Sequence, residues 1–287
     1  MKVYYSVKEK IKLLRWQARR ASVARRYGKP VLDSMPVVVG NAIPKSGSHL
    51  INQLLSGLPQ IGPFVVTGFP PVNRWENNRK LPPDRTLSNI QRLLPGDIGY
   101  GYIHCTPPFI AALTRPGMAS IFVYRDPRDV VVSAVKYGAY MNPNHPLHTY
   151  YWEHLTTDEE RYNAIIQGID EPGYEYSSIR RRYENYLGWL EQPNVLCLRF
   201  EDLITEQELS LNRILDHLSE KGFSPSTSRP EAVAALARSL DPQRSGTFRK
   251  GEPGSWAHNF TELNKDTFKR VAGDLLLQLG YEKDHDW

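Results

Sequence analysis

The sequence contains little cysteine and no long apolar run. Only two of its 287 residues are cysteine, Cys105 and Cys197, and neither belongs to a CxxC or Cys/His cluster. We therefore expect neither a disulfide framework nor a structural zinc site. No stretch approaches the roughly 18 consecutive apolar residues of a membrane-spanning helix, and no segment resembles a secretory signal. These absences favour a cytoplasmic protein.

The sequence also lacks an excess of basic residues beyond its first 30 positions. The formal net charge is +5, but residues 1–30 hold ten Lys or Arg against one acidic residue, so the remainder is net negative. A broad basic surface for nucleic acid is therefore not expected, whereas local basic pockets for anionic ligands are compatible with this distribution. The basic character belongs to an N-terminal arm.

Residues 1–30 form this arm, and we assign residues 31–287 to one domain. Apolar residues recur in the arm at helical spacing among the cations, which predicts a basic amphipathic helix: Val7, Ile11, Leu14, Ala18 and Ala21. The favoured interpretation is that this apolar stripe packs on the domain. Adsorption to an anionic membrane surface is an alternative, and an organelle-targeting peptide is another.

From residue 35 onward, short apolar runs alternate with helical stretches. Strands are predicted over residues 35–40, 98–104, 119–124 and 194–200, and helices over 48–56, 127–136 and 177–191. This alternation predicts a single α/β domain with a central parallel sheet flanked by helices. Ligands of such sheets bind at the carboxyl ends of the strands. Residues 59–83 and 139–146 are predicted to be irregular loops that shape a cleft.

The first strand leads into a loop rich in glycine and serine, followed by a helix. The segment reads GNAIPKSGS over residues 40–48. Free backbone N–H groups, a helix N-terminus and the charge of Lys45 together favour a phosphate or a sulfate. Pro44 stands where the regular GxxxxGK[ST] loop has glycine. An ordinary turn without a ligand is the alternative for this loop taken alone.

Two further segments carry groups suited to a phosphate. Arg125 follows the third predicted strand, and Ser133 lies two helical turns later, so both could reach one phosphate. Near the C-terminus, Phe248-Arg249-Lys250-Gly251 joins a planar guanidinium donor to a glycine that lets the backbone approach an anion. A charged surface helix start and a charged turn are the alternatives for these two segments.

These three segments, in this order, resemble the donor-binding motifs of the sulfotransferases that use 3′-phosphoadenosine 5′-phosphosulfate (PAPS), especially the cytosolic type that acts on small molecules. The resemblance spans about residues 35–260. It implies an enzyme that transfers a sulfuryl group from PAPS to a hydroxyl or amine, with a P-loop-like turn. The implied donor-binding residues are Lys45, Ser46, Gly47, Ser48, His49, Arg125, Ser133, Phe200, Phe248, Arg249, Lys250 and Gly251.

The resemblance also implies the catalytic groups. Residues 102–107 resemble the family's Lys-Thr-His-Leu-Pro motif, with Tyr102 in place of the lysine, which makes His104 the implied general base at the end of the second predicted strand. Lys45 would stabilise the leaving phosphate oxygen, and Ser133 would direct that lysine. No bound metal is expected. Leu50 stands where the family has the tryptophan that stacks on adenine.

Two other functions fit parts of the sequence. A nucleotide-dependent kinase uses a similar strand, loop and helix on ATP, and a nucleotide-binding protein without catalysis would keep the same loop. The acceptor stays open. The acid-rich residues 153–175 favour a cationic acceptor if they line the cleft, or form a solvated helix face if they do not. A lipid or glycan acceptor would give the basic arm a role, and the oligomeric state is not predicted.

Overall fold

The computed structural model describes residues 7–67, 81–241 and 252–287, with side chains from residue 10 onward. Contacts divide the chain into two compact units. The sheet unit comprises Met1–Ala42, Gly47–Tyr124 and Gly188–Asp241, and the helical unit comprises Ile43–Ser46, Arg125–Leu187 and Pro242–Trp287. Each unit is described separately below.

In chain order, the elements of the described residues are α1 (Val7–Tyr27), α2 (Lys29–Asp33), β1 (Val37–Ala42), α3 (Ser48–Gly57), β2 (Val65–Val66), α4 (Pro83–Gln91), β3 (Asp97–Gly101), α5 (Pro107–Leu113), β4 (Met118–Tyr124), α6 (Pro127–Val135), α7 (His148–Glu153), α8 (Asp158–Gln167), β5 (Ile169–Glu171), β6 (Tyr174–Tyr176), α9 (Ile179–Leu187), β7 (Val195–Arg199), α10 (Phe200–Thr205), α11 (Gln207–Glu220), α12 (Arg229–Ser239) and α13 (Glu262–Leu279). A π-helical turn covers Lys136–Met141, and 3₁₀ turns cover Leu58–Gln60, Gly188–Glu191 and Ser255–His258.

The sheet unit is built on five parallel strands in the order β2-β3-β1-β4-β7. Strand β1 lies at the centre, with Val38 opposite Ile98 of β3 and Ala119 of β4. All six β1 residues are buried, as is typical of a parallel strand covered on both faces. Leu54 of α3 and Ile214 of α11 belong to the core cluster of this unit. The predicted α/β fold with a parallel sheet is confirmed.

The helical unit is organised around α8, which contacts α6 and α13. Its interior contains a series of aromatic rings. The centroid of Tyr162 lies 5.7 Å from that of Phe260, which lies 6.3 Å from that of Phe268. The antiparallel pair β5–β6 also belongs to this unit. This packing fixes α6, whose N-terminus follows Arg125.

Two strand boundaries and one loop differ from the prediction. Strand β1 runs to Ala42 rather than to residue 40, and β3 ends at Gly101 rather than at His104. The side chain of Asn41 explains the second difference, because its Oδ1 accepts from the N–H of Ile103 at 2.7 Å and its Nδ2 donates to the carbonyl of Ile103 at 3.0 Å. The stretch 59–83, predicted to be irregular, contains β2, although residues 68–80 lie outside the described residues.

Helix α1 forms as predicted but presents the opposite face to the rest of its unit. Trp16 is buried and its indole N–H donates to Asp97 Oδ1 at 3.0 Å, while Arg20 donates to the same oxygen at 2.7 Å. A buried tryptophan and two hydrogen bonds to a buried carboxylate stabilise this orientation more than burial of a stripe that is half alanine. The predicted inward stripe, Ile11, Leu14, Ala18 and Ala21, is therefore exposed.

Candidate active site

The predicted phosphate loop has a strained backbone and an open helix start. Lys45 has a φ of 73°, and it is the one non-glycine residue with positive φ in the described ranges. The Ser46 N–H donates to the Ile43 carbonyl at 3.0 Å, which closes the turn. Gly47, at φ 91°, is the N-cap of α3, and no side chain of the described residues caps this helix. A helix start of this kind presents backbone N–H groups that suit an anion.

The side chain of Ser46 provides a second unused donor in this loop. Ser46 is fully buried, and its Oγ has no hydrogen-bond partner among the described residues. A buried hydroxyl without a partner costs free energy, so such groups in folded proteins commonly mark a binding site. A phosphate or sulfate oxygen is the acceptor that this hydroxyl and the α3 amides suit.

Lys45 lies in a cluster of cations within the helical unit. Its Nζ is 3.9 Å from the centroid of the Tyr137 ring, which is within cation–π distance. Desolvation, with the positive charges of Arg125 and Arg182, lowers the pKa of Lys45 to about 8. One terminal nitrogen of Arg182 is buried without a hydrogen-bond partner among the described residues. Three neighbouring cations of this kind form a site for an anion.

His145 extends this cluster, although no motif in the sequence points to this histidine. Its ring lies edge-on to Tyr137, with centroids 5.8 Å apart. Burial, with the charges of Lys45 and Arg182, lowers the pKa of His145 to about 4, so the ring is neutral at pH 7. Its Nδ1 accepts from the Leu147 N–H at 3.2 Å, which leaves the proton on Nε2. A neutral histidine beside Lys45 adds a donor without adding a charge.

Arg125 follows β4 directly and is held by three contacts in the helical unit. Its guanidinium donates to Asp129 Oδ2 at 3.1 Å and to the Glu252 carbonyl at 3.5 Å. The hydroxyl of Tyr183 donates to the Arg125 carbonyl at 2.7 Å. Arg125 is only 8% exposed, so its charge acts in a partly desolvated environment. Ser133 lies half-buried two turns along, on α6.

Asp129 connects α6 to the C-terminal segment and was not predicted from the sequence. Its carboxylate accepts from the backbone N–H groups of Gly254 at 3.0 Å and Trp256 at 2.9 Å, and from the Ser255 hydroxyl at 3.0 Å. The Arg128 guanidinium packs 3.8 Å from the centroid of the Trp256 ring. These contacts fix the chain just after Phe248, Arg249, Lys250 and Gly251, which lie outside the described residues.

In the sheet unit, His104 sits in the loop after β3. Its backbone position is fixed through Ile103, which is held by Asn41 and whose carbonyl also accepts from the Trp189 indole at 2.8 Å. His104 is half-buried and lines a small cavity of about 130 Å³. The other lining residues are largely apolar: Leu81, Pro83, Thr86, Ile103, Thr106 and Phe109.

Gly47 and Phe200 are in contact within the same unit. A Cβ added at Gly47 would lie 2.4 Å from a ring carbon of Phe200, so this position excludes any side chain. Ser48 is buried at the start of α3, His49 is exposed, and Leu50 belongs to the core. Leu50 therefore packs inside the unit rather than at the surface where a base could stack.

Comparison with known proteins identifies the family. The profile of the sulfotransferase domain family matches residues 108–280, more than half of the chain. The chain belongs to this family. No curated protein sequence matches this sulfotransferase significantly. The family match confirms the enzyme class inferred from the sequence motifs.

Solved structures share the fold of this sulfotransferase. Mouse sulfotransferase SULT7A1, complexed with PAP, is 19% identical, with a TM-score of 0.60 over 86% of this chain and 88% of that one. Retinol dehydratase in complex with androsterone and the inactive cofactor PAP is 14% identical, with a TM-score of 0.56 over 90% of this chain and 85% of that one. Retinol dehydratase with retinol and PAP is 15% identical, with a TM-score of 0.54 over 91% of this chain and 86% of that one.

The predicted site residues of this sulfotransferase fall in both units. Lys45, Ser46, Arg125 and Ser133 belong to the helical unit, and Gly47, Ser48, His49, His104 and Phe200 to the sheet unit. Within the helical unit, the structure brings Lys45 and Arg125 together and adds Tyr137, His145 and Arg182. No motif in the sequence points to Tyr137, His145 or Arg182. Asp129 lies one helical turn after Arg125 and could have been found by that spacing.

The described residues contain neither a metal-binding cluster nor a membrane-spanning helix. In residues 7–67, 81–241 and 252–287, no group of three or more His, Cys, Asp or Glu residues could hold a metal ion. Over the same part of the chain, no helix is both long and apolar enough to cross a membrane. The predicted absence of a bound metal stays a prediction.

Proposed function

We propose that this sulfotransferase transfers the sulfuryl group of PAPS to the hydroxyl of a small apolar acceptor. The loop at residues 43–48 carries the proposal, because it combines a positive-φ lysine with a buried serine hydroxyl and a helix start for which the described part of the chain provides neither a partner nor a side-chain cap. A phosphosulfate group is an acceptor for all of these donors. The structures of SULT7A1 and retinol dehydratase hold PAP, the adenosine 3′,5′-bisphosphate that PAPS leaves after transfer, which supports this donor.

The 3′-phosphate of the donor is assigned to the helical unit. Arg125 is buried and is positioned by Asp129. Ser133 lies one turn after Asp129 on α6. Asp129 also fixes the chain at Gly254 and Trp256, which follow Arg249 and Lys250 in the sequence. A planar guanidinium is suited to a phosphate dianion because it offers two parallel donors.

The reaction is an in-line transfer with a base and a charged stabiliser. His104 takes the proton of the acceptor hydroxyl, and the acceptor oxygen forms a bond to sulfur. The bond between sulfur and the 5′-phosphate oxygen breaks, and its electron pair stays on that oxygen. The Lys45 ammonium stabilises this developing charge. His104 then releases its proton to water.

Tyr137 is proposed to direct Lys45 before the donor binds. The ammonium lies over the Tyr137 ring, and this ring is in turn held by Asn142, whose side-chain amide donates to the Tyr137 hydroxyl at 3.1 Å. The sequence had given the directing role to Ser133 alone. The π-helical turn that carries Tyr137 is a feature common at functional sites.

The acceptor class is inferred from the surroundings of His104. The cavity beside it is narrow and mostly apolar, which suits a compact apolar group next to the reacting hydroxyl. Androsterone and retinol, which are bound to retinol dehydratase, are both apolar alcohols and support the proposal.

A cationic acceptor is less favoured, because several carboxylates of residues 153–175 are already engaged. Asp158 pairs with Lys136 and Arg161, Glu160 belongs to the capping box of α8, and Glu171 accepts from the Tyr150 hydroxyl at 2.7 Å. These contacts support the interpretation of the segment as structural and solvated.

The His104→Ala variant tests the proposed chemistry. With labelled PAPS and a panel of apolar phenols and alcohols, we expect a loss of turnover of about 10²–10⁴-fold, because the general base is removed. The Kd for adenosine 3′,5′-bisphosphate should change by less than about twofold, because His104 is not assigned to the donor. His258→Ala, at an exposed histidine, is the matched control and should keep full activity. Wild-type turnover in His104→Ala would show that another group is the base.

A further inference from the structure

We infer that the outward face of α1 docks this protein on an anionic lipid surface. The face in question is an apolar stripe that stays exposed among the described residues. Ile11 is 43% exposed and Leu14 is 65% exposed, and Ala18 and Ala21 continue the stripe in the exposed class. Large apolar side chains at one-turn spacing on a solvent-facing helix mark a surface that contacts something else.

The orientation of α1 is fixed by contacts on the opposite side. Trp16 is buried, and Arg20 donates to the Pro95 carbonyl at 2.8 Å and to the buried Asp97 carboxylate at 2.7 Å. Arg19 adds a hydrogen bond to the Val66 carbonyl at 2.7 Å. The helix is therefore anchored in its unit through one face. Its apolar stripe cannot turn inward without breaking these contacts.

Cations surround the exposed stripe. The helical repeat places three exposed basic side chains within about 80° of its centre: Lys10, Arg15 and Arg25. Glu9 is the one acidic residue in the sequence of α1. A stripe of apolar groups bordered by Lys and Arg matches the boundary of an anionic bilayer, where acyl chains lie beneath phosphate and carboxylate head groups.

This chemistry favours a lipid surface over other occupants. A second copy of the same face would bring two sets of cations together, which repel each other. A nucleic acid would use the cations but offers no apolar partner for Ile11 and Leu14. An anionic membrane offers acidic head groups to the cations and acyl chains to Ile11 and Leu14. Peripheral binding by α1 needs no membrane-spanning helix.

Sedimentation with vesicles tests the inference without reference to catalysis. Vesicles of 70% phosphatidylcholine and 30% phosphatidylserine should bind the full chain on the order of ten times more tightly than pure phosphatidylcholine vesicles, and 0.5 M salt should remove most of this difference. The double variants Ile11→Ser/Leu14→Ser and Arg15→Glu/Arg25→Glu should each reduce binding about tenfold or more. All four positions are exposed, so the fold should persist.

Matched controls separate the stripe from general exposure. Leu209 and Leu263 are 57% and 53% exposed on α11 and α13, and Leu209→Ser/Leu263→Ser should leave vesicle binding unchanged. Unchanged affinity for adenosine 3′,5′-bisphosphate in every variant would show that each is folded. The inference is overturned if the wild type does not bind the anionic vesicles, or if Ile11→Ser/Leu14→Ser binds them as well as the wild type. It is equally overturned if these variants instead abolish a dimer seen by light scattering.

Discussion

At the scale of single residues, the unusual electrostatics of Lys45 give the most direct consequence of the structure. Its pKa of about 8 results from desolvation and from Arg125 and Arg182, and it lies near the pH at which enzymes are assayed. A lysine binds an anionic donor in its protonated form. Lys45 is protonated below its pKa and loses its charge above it, so the activity should have an alkaline limb.

We predict that kcat/KM for PAPS falls above pH 8 by about tenfold per pH unit, because this parameter reports groups of the free enzyme. Lys45→Arg should remove the limb between pH 8 and 10, because a guanidinium stays charged there. Arg182→Met should move the limb to higher pH, since one of the charges that lower the Lys45 pKa is lost. Arg180→Met, at an exposed arginine paired with Glu184, is the control. If neither Lys45→Arg nor Arg182→Met changes the alkaline limb, the limb belongs to another titrating group.

Gly47 supports a second prediction at this scale. Its φ of 91° and the 2.4 Å approach of Phe200 both exclude a Cβ. Gly47→Ala should therefore cost more than the roughly 1–2 kcal/mol of a positive φ alone, and it should also weaken bisphosphate binding. Gly173→Ala is the matched control, because Gly173 has a φ of 87° with nothing within 4 Å of an added Cβ. Chemical denaturation and calorimetry measure both effects, and equal losses in the two variants would contradict the steric argument.

At the scale of elements, Asp129 joins α6 to the C-terminal segment. Replacement by Asn removes the charge that pairs with Arg125 and puts a donor against the N–H group of either Gly254 or Trp256, because these two groups donate to different oxygens of the carboxylate. We expect the free energy of unfolding to fall by about 3–5 kcal/mol, as for other buried pairs that lose one partner. Bisphosphate affinity should fall about tenfold or more. Asp274→Asn, whose side chain is 77% exposed on α13, should change neither quantity.

Intact bisphosphate affinity in a folded Asp129→Asn protein would show that the segment after Gly251 does not need this anchor. Denaturation and calorimetry on the same preparation separate that outcome from a simple loss of fold. The stability change and the affinity change are expected together, because one carboxylate makes all of these contacts.

The elements also show how far the sequence determines the structure. The central strands and the helices after the phosphate loop and after Arg125 form where their apolar patterns predict, within about three residues. Strand β2 was not predicted, because two residues inside a proline-rich stretch carry no periodicity. The end of β3 depends on the side chain of Asn41, a contact between positions 62 residues apart that no local pattern contains.

The face of α1 was wrongly predicted for a related reason. A periodicity shows that a helix has an apolar stripe, but it does not show which side packs inward. The buried Asp97, which binds both Trp16 and Arg20, decides that question through tertiary contacts. In the same way, the sequence motifs identified Lys45 and Arg125, whereas Tyr137, His145 and Arg182 became site candidates only when the fold placed them beside Lys45.

At the scale of the whole molecule, the protein is a sulfotransferase with a donor loop that suits a phosphosulfate and a basic helix that suits a lipid surface. The two features are independent, because the loop and α1 rest on different contacts. Family membership favours PAPS over ATP, while the strand–loop–helix arrangement alone fits either nucleotide. The identity of the nucleotide is therefore the central claim.

Calorimetric titration of the full chain with adenosine 3′,5′-bisphosphate, ATP and ADP in the presence of EDTA tests this claim most directly. We expect the bisphosphate to bind with a Kd at least about a hundredfold lower than that of ATP or ADP, since Arg125 and its neighbours are assigned to a 3′-phosphate that the other two lack. The bisphosphate affinity should be the same when Mg²⁺ replaces EDTA. Preferential binding of ATP that develops only with Mg²⁺ would contradict the account and favour a kinase.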